Sequence, residues 1–265
     1  MREYEPELAR FAVPCTGVTI PYGADPDQFG QLWLPAGRGP HPVVVLLHGG
    51  YWRERYRLDL MNALAAHLSA VMFAVWNLEY RRVGSSGGGW PGTFDDVAAG
   101  YDALSGLAAE HRLDTDRVAL VGHSAGGHLA LWLAARVARA PDHQVRAPFG
   151  VGLAPVADLI DGNRRHLSND AVAELLGADY EDAPERYLAA SPAALLPLGV
   201  RQLIVHGDAD IAVPYDMSVA YHARARAAGD ACELLSLPGV GHFEFLDPES
   251  EVWRRVEPYL TASPT

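Results

Sequence analysis

Runs of apolar residues alternate along the chain with segments in which apolar side chains recur every three or four positions. Residues 42–47, Pro-Val-Val-Val-Leu-Leu, form an unbroken apolar run, which is typical of a strand buried on both faces of a parallel sheet. Residues 59–70 place Leu60, Leu64 and Leu68 on one stripe and predict a helix. Further strands are predicted at residues 71–76, 117–121, 145–153, 202–205 and 232–237. Further helices are predicted at residues 95–111, 127–136, 214–228 and 248–260. The alternation predicts an α/β fold, in which helices cover both faces of a mostly parallel central sheet.

Two parts of the chain depart from this alternation. Residues 18–22 and 31–34 predict an antiparallel pair of strands at the edge of the sheet. Residues 155–198 are partly polar and contain only short helical segments, so we expect a small, cap-like helical insertion over the edge of the site. The chain shows no internal repeat, and we predict a single domain over residues 1–265.

Residues 81–92 are rich in glycine, serine and proline and predict a long loop. Long loops in compact domains are often functional, so this one could be a flexible flap beside the pocket. An ordinary connection is the alternative, and the sequence favours neither. Asp95 and Asp96 follow the loop, where we expect them to place favourable negative charge at a helix N-terminus.

The candidate nucleophile is Ser124. Residues 122–126, Gly-His-Ser-Ala-Gly, follow one predicted strand and precede a predicted helix. A serine in this setting requires a sharp turn, and the flanking glycines remove side chains that would clash there. The turn would present Ser124 as an exposed nucleophile. The alternative is a structural turn in which the serine only caps the helix.

A nucleophilic serine needs a base, an acid that orients the base, and donors for an oxyanion. His242 follows the predicted strand at 232–237 and is the candidate base, with a buried structural histidine as the alternative. Asp208 and Asp210 share the loop after the strand at 202–205, and either could be the acid. Open α/β sheets place their sites at the carboxyl ends of strands, where all of these residues are predicted to lie.

The candidate oxyanion loop is residues 48–52, His-Gly-Gly-Tyr-Trp, directly after the apolar run at 42–47. Glycines at this point let backbone N–H groups face a cleft in which an oxyanion would lie. We expect the amides of Gly49, Gly50 or Tyr51 to act together with the amide of Ala125. His48 is expected to support the loop by hydrogen bonds and not to titrate in catalysis.

Three motifs together resemble the kynurenine formamidase (arylformamidase) branch of the α/β-hydrolases. They are His-Gly-Gly-Tyr-Trp at 48–52, Gly-His-Ser-Ala-Gly-Gly-His at 122–128 and Ala-Ser-Pro at 190–192. The matching segments run from about Val43 to His242. A neighbouring branch, the hormone-sensitive-lipase-like esterases, usually carries His-Gly-Gly-Gly, where this chain has Tyr51. The resemblance implies an α/β-hydrolase fold with serine, acid and histidine in that order along the chain.

The resemblance also bears on the choice of acid. Residues 206–214 match His-Gly-x-x-Asp-x-x-Val-Pro, which is similar to the acid loop of α/β-hydrolases, where the second aspartate belongs to the triad. It implies that Asp210 completes the triad with Ser124 and His242. Asp208 would then form the turn through bonds to its own backbone.

These features predict a metal-independent serine hydrolase that cleaves a small amide or ester. The resemblance implies an arylformamidase acting on a compound like N-formylkynurenine. Related carboxylesterases also use His-Gly-Gly-x-Trp, so a carboxylesterase for short-chain or specialised metabolite esters is the alternative. A hydrolase fold used only for binding is a third alternative, against which an intact triad argues.

For an aromatic leaving group we expect aromatic residues around the wider side of the pocket. Tyr51, Trp52 and Trp90 are the candidates for that lining, and His123 is a further candidate substrate-binding residue. Core packing is the alternative for each aromatic residue, because aromatic side chains fill cores as readily as pockets.

The composition narrows the class of protein and its partners. With 265 residues, 49% of them hydrophobic and 20% charged, the chain can bury a substantial core. A net charge of −12 argues against nucleic acid and anionic membranes as partners. No apolar run approaches the ~20 residues needed to span a bilayer, and the acidic start at residues 1–7 is unlike a secretory signal. We therefore predict a cytoplasmic enzyme with a small-molecule substrate, and a homodimer is left open.

The residues that commonly bind metals show no metal-site pattern. Cys15 and Cys232 lack metal-ligand spacing, and we expect no disulfide between them. The histidines do not form a motif such as His-Glu-x-x-His. We therefore expect neither a metal nor a cofactor.

Overall fold

The computed structural model describes residues 6–140, 142–146 and 149–262. Most of the acidic start at residues 1–7, which argues against a secretory signal, lies outside the described residues. Within the described part of the chain, no helix is both long and apolar enough to cross a bilayer.

The centre of the molecule is one eight-stranded sheet with the strand order β1-β2-β4-β3-β5-β6-β7-β8. The strands are β1 (Val18–Pro21), β2 (Phe29–Trp33), β3 (His41–Leu47), β4 (Ala74–Leu78), β5 (Leu113–His123), β6 (Phe149–Leu153), β7 (Arg201–Gly207) and β8 (Cys232–Leu237). β2 pairs antiparallel with both β1 and β4, whereas the pairs from β4 to β8 are all parallel. The predicted antiparallel pair at the edge and the mostly parallel sheet are both confirmed.

Helices cover both faces of this sheet. The α-helices are α1 (Pro6–Ala9), α2 (Asn62–Ala70), α3 (Gly92–Asp102), α4 (Leu104–His111), α5 (Ala125–Ala138), α6 (Leu159–Arg164), α7 (Ala171–Leu176), α8 (Pro184–Ala190), α9 (Tyr215–Ala227) and α10 (Glu251–Thr261). Short 3₁₀ turns lie at Leu58–Met61, Pro192–Ala194 and Glu244–Leu246.

Strand β3 shows how the apolar run supports two layers of core. Val43, Val45 and Leu47 belong to the core that contains α3 and α5, whereas Val44 and Leu46 belong to the core that contains α2 and α10. All five side chains are at most 1% exposed. Successive side chains of a strand point to opposite faces, so an unbroken apolar run is what a doubly covered strand requires.

The predicted strand at 71–76 is wrong by several residues, because β4 runs Ala74–Leu78. Val71 and Met72 are exposed and lie in the turn after α2. Asn77 is inside the strand although it is polar, because its amide donates to the carbonyl of Leu58 and to Oδ1 of Asn62. A buried polar side chain whose amide N–H groups are hydrogen-bonded does not look like a strand residue in a hydropathy pattern.

Two other boundaries differ. The predicted strand at 145–153 includes residues 147–148, which lie outside the described residues, and β6 begins at Phe149. The single helix predicted over 95–111 is two helices, α3 and α4, separated at Ala103.

The loop at 81–92 is held firmly at both ends. Arg81 donates from Nε and Nη2 to the carboxylate of Asp96 over 2.8 and 2.7 Å, and the N–H of Trp90 donates to the carbonyl of Leu175 over 2.7 Å. Asp96 is 1% exposed and lies within α3, so it anchors the loop and does not serve as a charge at the helix N-terminus as predicted. The contacts favour an ordinary connection over a flap.

The insertion at 155–198 contains three short helices, α6 to α8. Leu159, Leu175 and Tyr187 belong to the core that contains α5, so the insertion packs against that side of the sheet. Arg53 links it to the oxyanion loop by donating to the carbonyl of Ser168 over 2.8 Å.

Candidate active site

Ser124 lies at the sharp turn between β5 and α5, with φ 57° and ψ −120°. A Cβ at Gly122 would lie 2.0 Å from the carbonyl oxygen of Gly126, and one at Gly126 would lie 2.0 Å from the carbonyl oxygen of Leu47. Only glycine fits at both positions, which explains the Gly-x-Ser-x-Gly pattern. The Ser124 side chain makes no capping hydrogen bond to the helix, so the structural-turn alternative has no support.

His242 and Asp210 come together from the loops that follow β8 and β7. Nδ1 of His242 lies 2.6 Å from Oδ2 of Asp210, and both side chains are almost completely buried. A carboxylate only accepts hydrogen bonds, so Nδ1 carries the proton and Nε2 is the nitrogen left for Ser124. His242 and Ser124 line the same cavity.

Asp210 is fixed by hydrogen bonds to both of its oxygens. Oδ1 accepts from the backbone N–H groups of Ala212 and Val213 over 2.8 and 2.9 Å. Burial alone would raise the pKa of the Asp210 carboxyl, but the hydrogen bonds from His206 and His242 hold it well below its ordinary value. Asp210 is therefore a carboxylate over the whole range in which proteins usually work.

Asp208 has a different role from the one predicted for it. Its Oδ1 accepts the backbone N–H of Gly239 over 2.7 Å, which joins the loop after β7 to the loop after β8. The expected bond to its own turn is wrong. The carboxylate instead holds the two loops that carry Asp210 and His242 beside each other.

His206 is a site residue that the sequence reasoning missed. Its Nε2 lies 3.1 Å from Oδ2 of Asp210 and 3.1 Å from the carbonyl of Val213, and its Nδ1 lies 2.7 Å from Oγ of Ser218. The side chain is completely buried. A signal was available, because His206 lies four residues before Asp210 in the same His-Gly-x-x-Asp string.

His123 lies behind the candidate base. Its Nε2 donates to the backbone carbonyl of His242 over 2.8 Å, and the two rings lie 4.6 Å apart. Burial, with a smaller contribution from the neighbouring His242, lowers the pKa of His123 to about 3, so this ring is neutral. The residue lines the cavity, its role in binding substrate stays a prediction, and it also holds the His242 loop in place.

The candidate oxyanion loop has an unusual backbone. Gly50, Tyr51 and Trp52 have φ values of 108°, 50° and 56°, which lie in the left-handed region. Among the backbone hydrogen bonds of the described residues, the N–H groups of Gly50, Tyr51 and Ala125 have no carbonyl acceptor. Left-handed residues are uncommon outside glycine, and their clustering here orients amides that no secondary structure uses.

The loop rests on a buried network below it. His48 is completely buried, with Nδ1 2.8 Å from the Gly49 carbonyl and Nε2 3.0 Å from Oε1 of Glu79. Tyr80 stacks on the His48 ring at 4.4 Å and donates its hydroxyl to the His48 carbonyl over 2.7 Å. His48 thus supports the loop by hydrogen bonds, as the sequence predicts.

The cavity beside Ser124 is small and largely apolar, with a volume of about 70 Å³. Uncharged residues form its lining: Leu8, Gly49, Gly50, Tyr51, Tyr56, Leu60, His123, Ser124, Ala212, His242, Phe243 and Leu246. None of these residues comes from the insertion at 155–198 or from the loop at 81–92. The lining of this cavity therefore gives no support to a flap at 81–92, which the sequence left open, or to a cap formed by the insertion. Leu8 of α1, Leu60 and Leu246 provide its apolar walls instead.

Two of the predicted aromatic lining residues lie elsewhere. Trp52 is completely buried and donates from Nε1 to Nδ1 of His128 over 3.2 Å. Trp90 packs edge-on against Phe94, 5.1 Å away, on the core that contains α3. Trp52 is a core residue and Trp90 is partly buried against the core; neither lines the cavity, so the prediction that they do is wrong. Tyr51 does line it, with its hydroxyl donated to the carbonyl of Ala212 over 2.6 Å.

The described residues contain no group of three or more His, Cys, Asp or Glu side chains arranged to hold a metal ion. Cys15 and Cys232 are both free thiols. The site presents a serine at a sharp turn, a histidine fixed by a carboxylate, and backbone amides without a carbonyl acceptor.

The chain matches one protein family and resembles several curated esterases. The BD-FAE family model matches residues 31–224. Esterase LipC of Mycobacterium tuberculosis is 27% identical over 244 residues, which cover 85% of this chain and 59% of that protein. Isoprenylcysteine alpha-carbonyl methylesterase ICME of Arabidopsis thaliana is 26% identical over 253 residues, covering 84% of this chain and 56% of that protein. The chain thus spans little more than half the length of these curated relatives.

Solved structures agree with the architecture. A truncated form of a carbohydrate esterase from gut microbiota superimposes with a TM-score of 0.78 at 22% identity, covering 92% of this chain and 94% of that one. The apo form of Thermogutta terrifontis esterase 2 gives a TM-score of 0.73 at 22% identity, covering 92% and 91%. The predicted α/β-hydrolase fold is confirmed.

Proposed function

The chain belongs to the BD-FAE family, and from this premise we propose that it is a serine carboxylesterase that hydrolyses uncharged esters with short acyl groups. The pairing of His242 with Asp210 over 2.6 Å, beside Ser124 in an uncharged apolar cavity, carries the proposal.

In the first half of the reaction, Oγ of Ser124 attacks the ester carbonyl carbon and its proton passes to Nε2 of His242. Asp210 holds the Nδ1–H of the imidazole, which selects the tautomer that accepts at Nε2 and stabilises the imidazolium that forms. The carbonyl oxygen becomes an oxyanion, which accepts from the N–H of Ala125 and from the N–H of Gly50 or Tyr51.

The tetrahedral intermediate collapses when the bond to the alcohol oxygen breaks and His242 returns its proton to that oxygen. The alcohol leaves and Ser124 carries the acyl group. A water molecule then gives its proton to His242 and attacks the acyl carbon. The second intermediate releases the carboxylic acid and restores the Ser124 hydroxyl.

The walls of the cavity support the substrate class. Leu8, Leu60 and Leu246 offer apolar contact, and no charged side chain among the lining residues could pair with an ionised acyl group. Burying an unpaired charge there would be costly. A water molecule needs about 10–15 Å³ of such space, so about 70 Å³ holds only a few heavy atoms. The fit favours acetyl to butyryl groups.

An arylformamidase remains the competing function. The sequence motifs at 48–52 and 122–128 resemble that branch, and a formyl group would also fit a small cavity. Two observations favour the ester. The relatives named above are esterases, and neither Trp52 nor Trp90 lines the cavity beside Ser124.

The test is a substrate panel on the purified chain. We expect the highest kcat/KM on p-nitrophenyl acetate to butyrate, a decline at octanoate, and at least 10²-fold lower kcat/KM on N-formylkynurenine. Ser124→Ala serves as the matched control, since it changes one atom at the nucleophile. It should lose about 10⁴-fold or more in kcat, together with labelling by a fluorophosphonate probe.

A preference for the formamide over every ester would replace this function by the arylformamidase. A Ser124→Ala variant that keeps both turnover and labelling would remove Ser124 as the nucleophile. If wild type cleaves no substrate and Ser124 is not labelled, the fold serves as a binding module.

A further inference from the structure

The His48 ring is surrounded by hydrogen-bond acceptors. Nδ1 faces the Gly49 carbonyl at 2.8 Å, and Nε2 faces Oε1 of Glu79 at 3.0 Å. A carbonyl oxygen cannot donate, so Nδ1 carries a proton. Whether Nε2 also carries one depends on the charge of Glu79.

Glu79 has the partners of a carboxylate. Besides His48, Arg82 donates to Oε1, and Nε of Arg57 donates to Oε2 over 3.1 Å. The backbone N–H groups of Tyr80 and Leu58 donate to its two oxygens over 3.1 and 3.3 Å. Every partner is a donor, and a protonated acid would place its own hydrogen against one of them.

The electrostatic surroundings agree with a charged Glu79. Burial would raise the pKa of its carboxyl, but His48, Arg82 and Arg57 together lower it. Glu79 and Arg82 are completely buried, and both arginines also pair with Asp27. An acceptor-only carboxylate requires a proton on Nε2, so the His48 ring carries two protons and a positive charge.

This charge acts on one particular peptide group. The carbonyl that accepts from Nδ1 belongs to the peptide between Gly49 and Gly50, whose other end is the Gly50 N–H. In a trans peptide the C=O and N–H bonds point in opposite directions. With the carbonyl turned toward His48, the N–H is turned away from it, and Gly50 lines the cavity beside Ser124.

We propose that His48 is a positioning residue whose ring carries a proton on both nitrogens: by donating to the Gly49 carbonyl it orients and polarises the peptide whose Gly50 N–H holds the oxyanion. Hydrogen bonds from charged donors are roughly twice as strong as neutral ones, and hydrogen bonds in series strengthen one another. The inference rests on the proposed esterase function, because it assigns the Gly50 amide to the oxyanion.

The charge itself is tested without any substrate. We would label the histidine rings with ¹⁵N and record their nitrogen resonances at pH 7.5, identifying His48 by the signals that His48→Asn loses. Two protonated nitrogens are expected at His48. A bare nitrogen at either position would overturn the proposal.

The effect on catalysis is tested with His48→Asn, which retains an N–H donor for the Gly49 carbonyl but has no charge. On p-nitrophenyl acetate, kcat per labelled active site should fall about tenfold or more while KM stays within twofold, since the loss concerns the transition state. The matched control is His41→Asn, another buried histidine, which lies at the start of β3, at the opposite end of that strand from His48, and does not line the cavity. It should keep kcat within twofold.

Retention of kcat within twofold in His48→Asn would show that the hydrogen bond alone suffices, which overturns the role of the charge. Should His48→Asn not fold, Glu79→Gln removes the counter-ion and should lower kcat in the same way with KM unchanged. If wild type hydrolyses no ester, the proposed function fails, and the nitrogen spectrum still decides the charge of His48 independently.

Discussion

His206 donates from Nε2 to Oδ2 of Asp210 over 3.1 Å, and this is the same oxygen that accepts from His242 over 2.6 Å. Both acceptors of Nε2, Asp210 and the Val213 carbonyl, fix the proton on that nitrogen, while the hydroxyl of Ser218 can donate to Nδ1. His206 thus orients the Asp210 carboxylate independently of His242. The carboxylate is held as a preorganised partner for the base.

Mutations of Asp208 and Asp210, which share the loop after β7, should have clearly different effects on kcat. Asp210→Asn replaces the carboxylate that holds Nδ1–H of His242, and we expect kcat to fall by about 10³–10⁴-fold. Asp208→Asn weakens the bond to the Gly239 N–H and should cost about 1 kcal/mol of stability, with kcat reduced less than tenfold. Ester kinetics and urea unfolding of both variants provide the measurement. A reversed order of damage would assign the acid to Asp208.

His206 should influence both turnover and acid stability. His206→Phe keeps a ring but removes the donor to Asp210, and we expect kcat to fall about tenfold, whereas His206→Gln restores an N–H and should recover part of the loss.

The pKa of Asp210 is held below its ordinary value, so the stability it contributes is present above the ordinary aspartate pKa and is lost as pH falls through the folded-state pKa. Without His206 that folded-state pKa rises, so the stability contributed by Asp210 is smaller and its loss is complete at a higher pH. Unfolding midpoints between pH 3 and 7 would reveal this, and identical acid profiles for Phe and wild type would contradict it.

Buried neutral histidines should make the fold sensitive to acid. Burial lowers the pKa of His128 to about 4, although the Ala190 carbonyl opposes this. Between the ordinary histidine value of about 6.5 and this value the unfolded chain binds the proton and the folded chain does not, so stability falls with falling pH. At pH 4.5 the suppressed protonation of His128 therefore lowers the free energy of unfolding by about 2–3 kcal/mol.

His128→Asn removes this titration and should flatten the dependence of unfolding free energy on pH between 6.5 and 4.5, even if it lowers stability at neutral pH. His123 titrates in the same way and stays in place as the internal reference. Denaturant unfolding at several pH values measures the slope. An unchanged slope in the variant would place the acid sensitivity elsewhere.

The apolar wall should set acyl length. Leu8→Ala and Leu60→Ala each enlarge the cavity, and one additional buried methylene is worth about 0.8 kcal/mol, or roughly fourfold in kcat/KM. We expect the octanoate-to-acetate ratio of kcat/KM to rise about tenfold in either variant. Leu68→Ala is the control, because Leu68 is equally buried on α2 but does not line the cavity. A ratio that moves as much in the control as in the wall variants would exclude the wall as the cause.

Chelation should have no effect on the rate. The proposed reaction holds its oxyanion with backbone amides around Gly50 and Ala125, so it requires no Lewis acid. Dialysis against EDTA followed by the p-nitrophenyl acetate assay is the measurement. Activity that disappears on dialysis and returns with zinc would replace the serine mechanism by metal-assisted hydrolysis.

The sequence predicted what local patterns encode. The sharp turn at Ser124 is visible because glycines and the change from strand to helix are adjacent in the chain. The positions of Asp210 and His242 follow from strand ends, since parallel strands finish at one edge of the sheet. These inferences need no knowledge of distant packing.

What the sequence did not predict depends on partners remote along the chain. Glu79 is a charge at the end of a buried strand, and its pairing with Arg57 and Arg82 becomes intelligible only once the strands are assembled. Trp52 follows the oxyanion loop directly, yet its backbone conformation turns the ring into the core. Leu8, which belongs to a four-residue helix, carries no periodic signal that would connect it with a site more than a hundred residues away.

Leu8, Phe243 and Leu246 of the cavity wall lie outside residues 31–224, the region matched by the family model, and so does His242, whereas Leu60, Ser124 and Asp210 lie inside it. Most of the wall thus comes from segments other than those that carry the nucleophile and the acid. Substitutions in the first turn of α1 or after His242 can retune which esters are accepted without disturbing the carboxylate, the imidazole or the sharp turn. Two homologues with identical triads can thus differ in substrate range. Engineering of the acyl preference would begin in α1 and in the residues after His242.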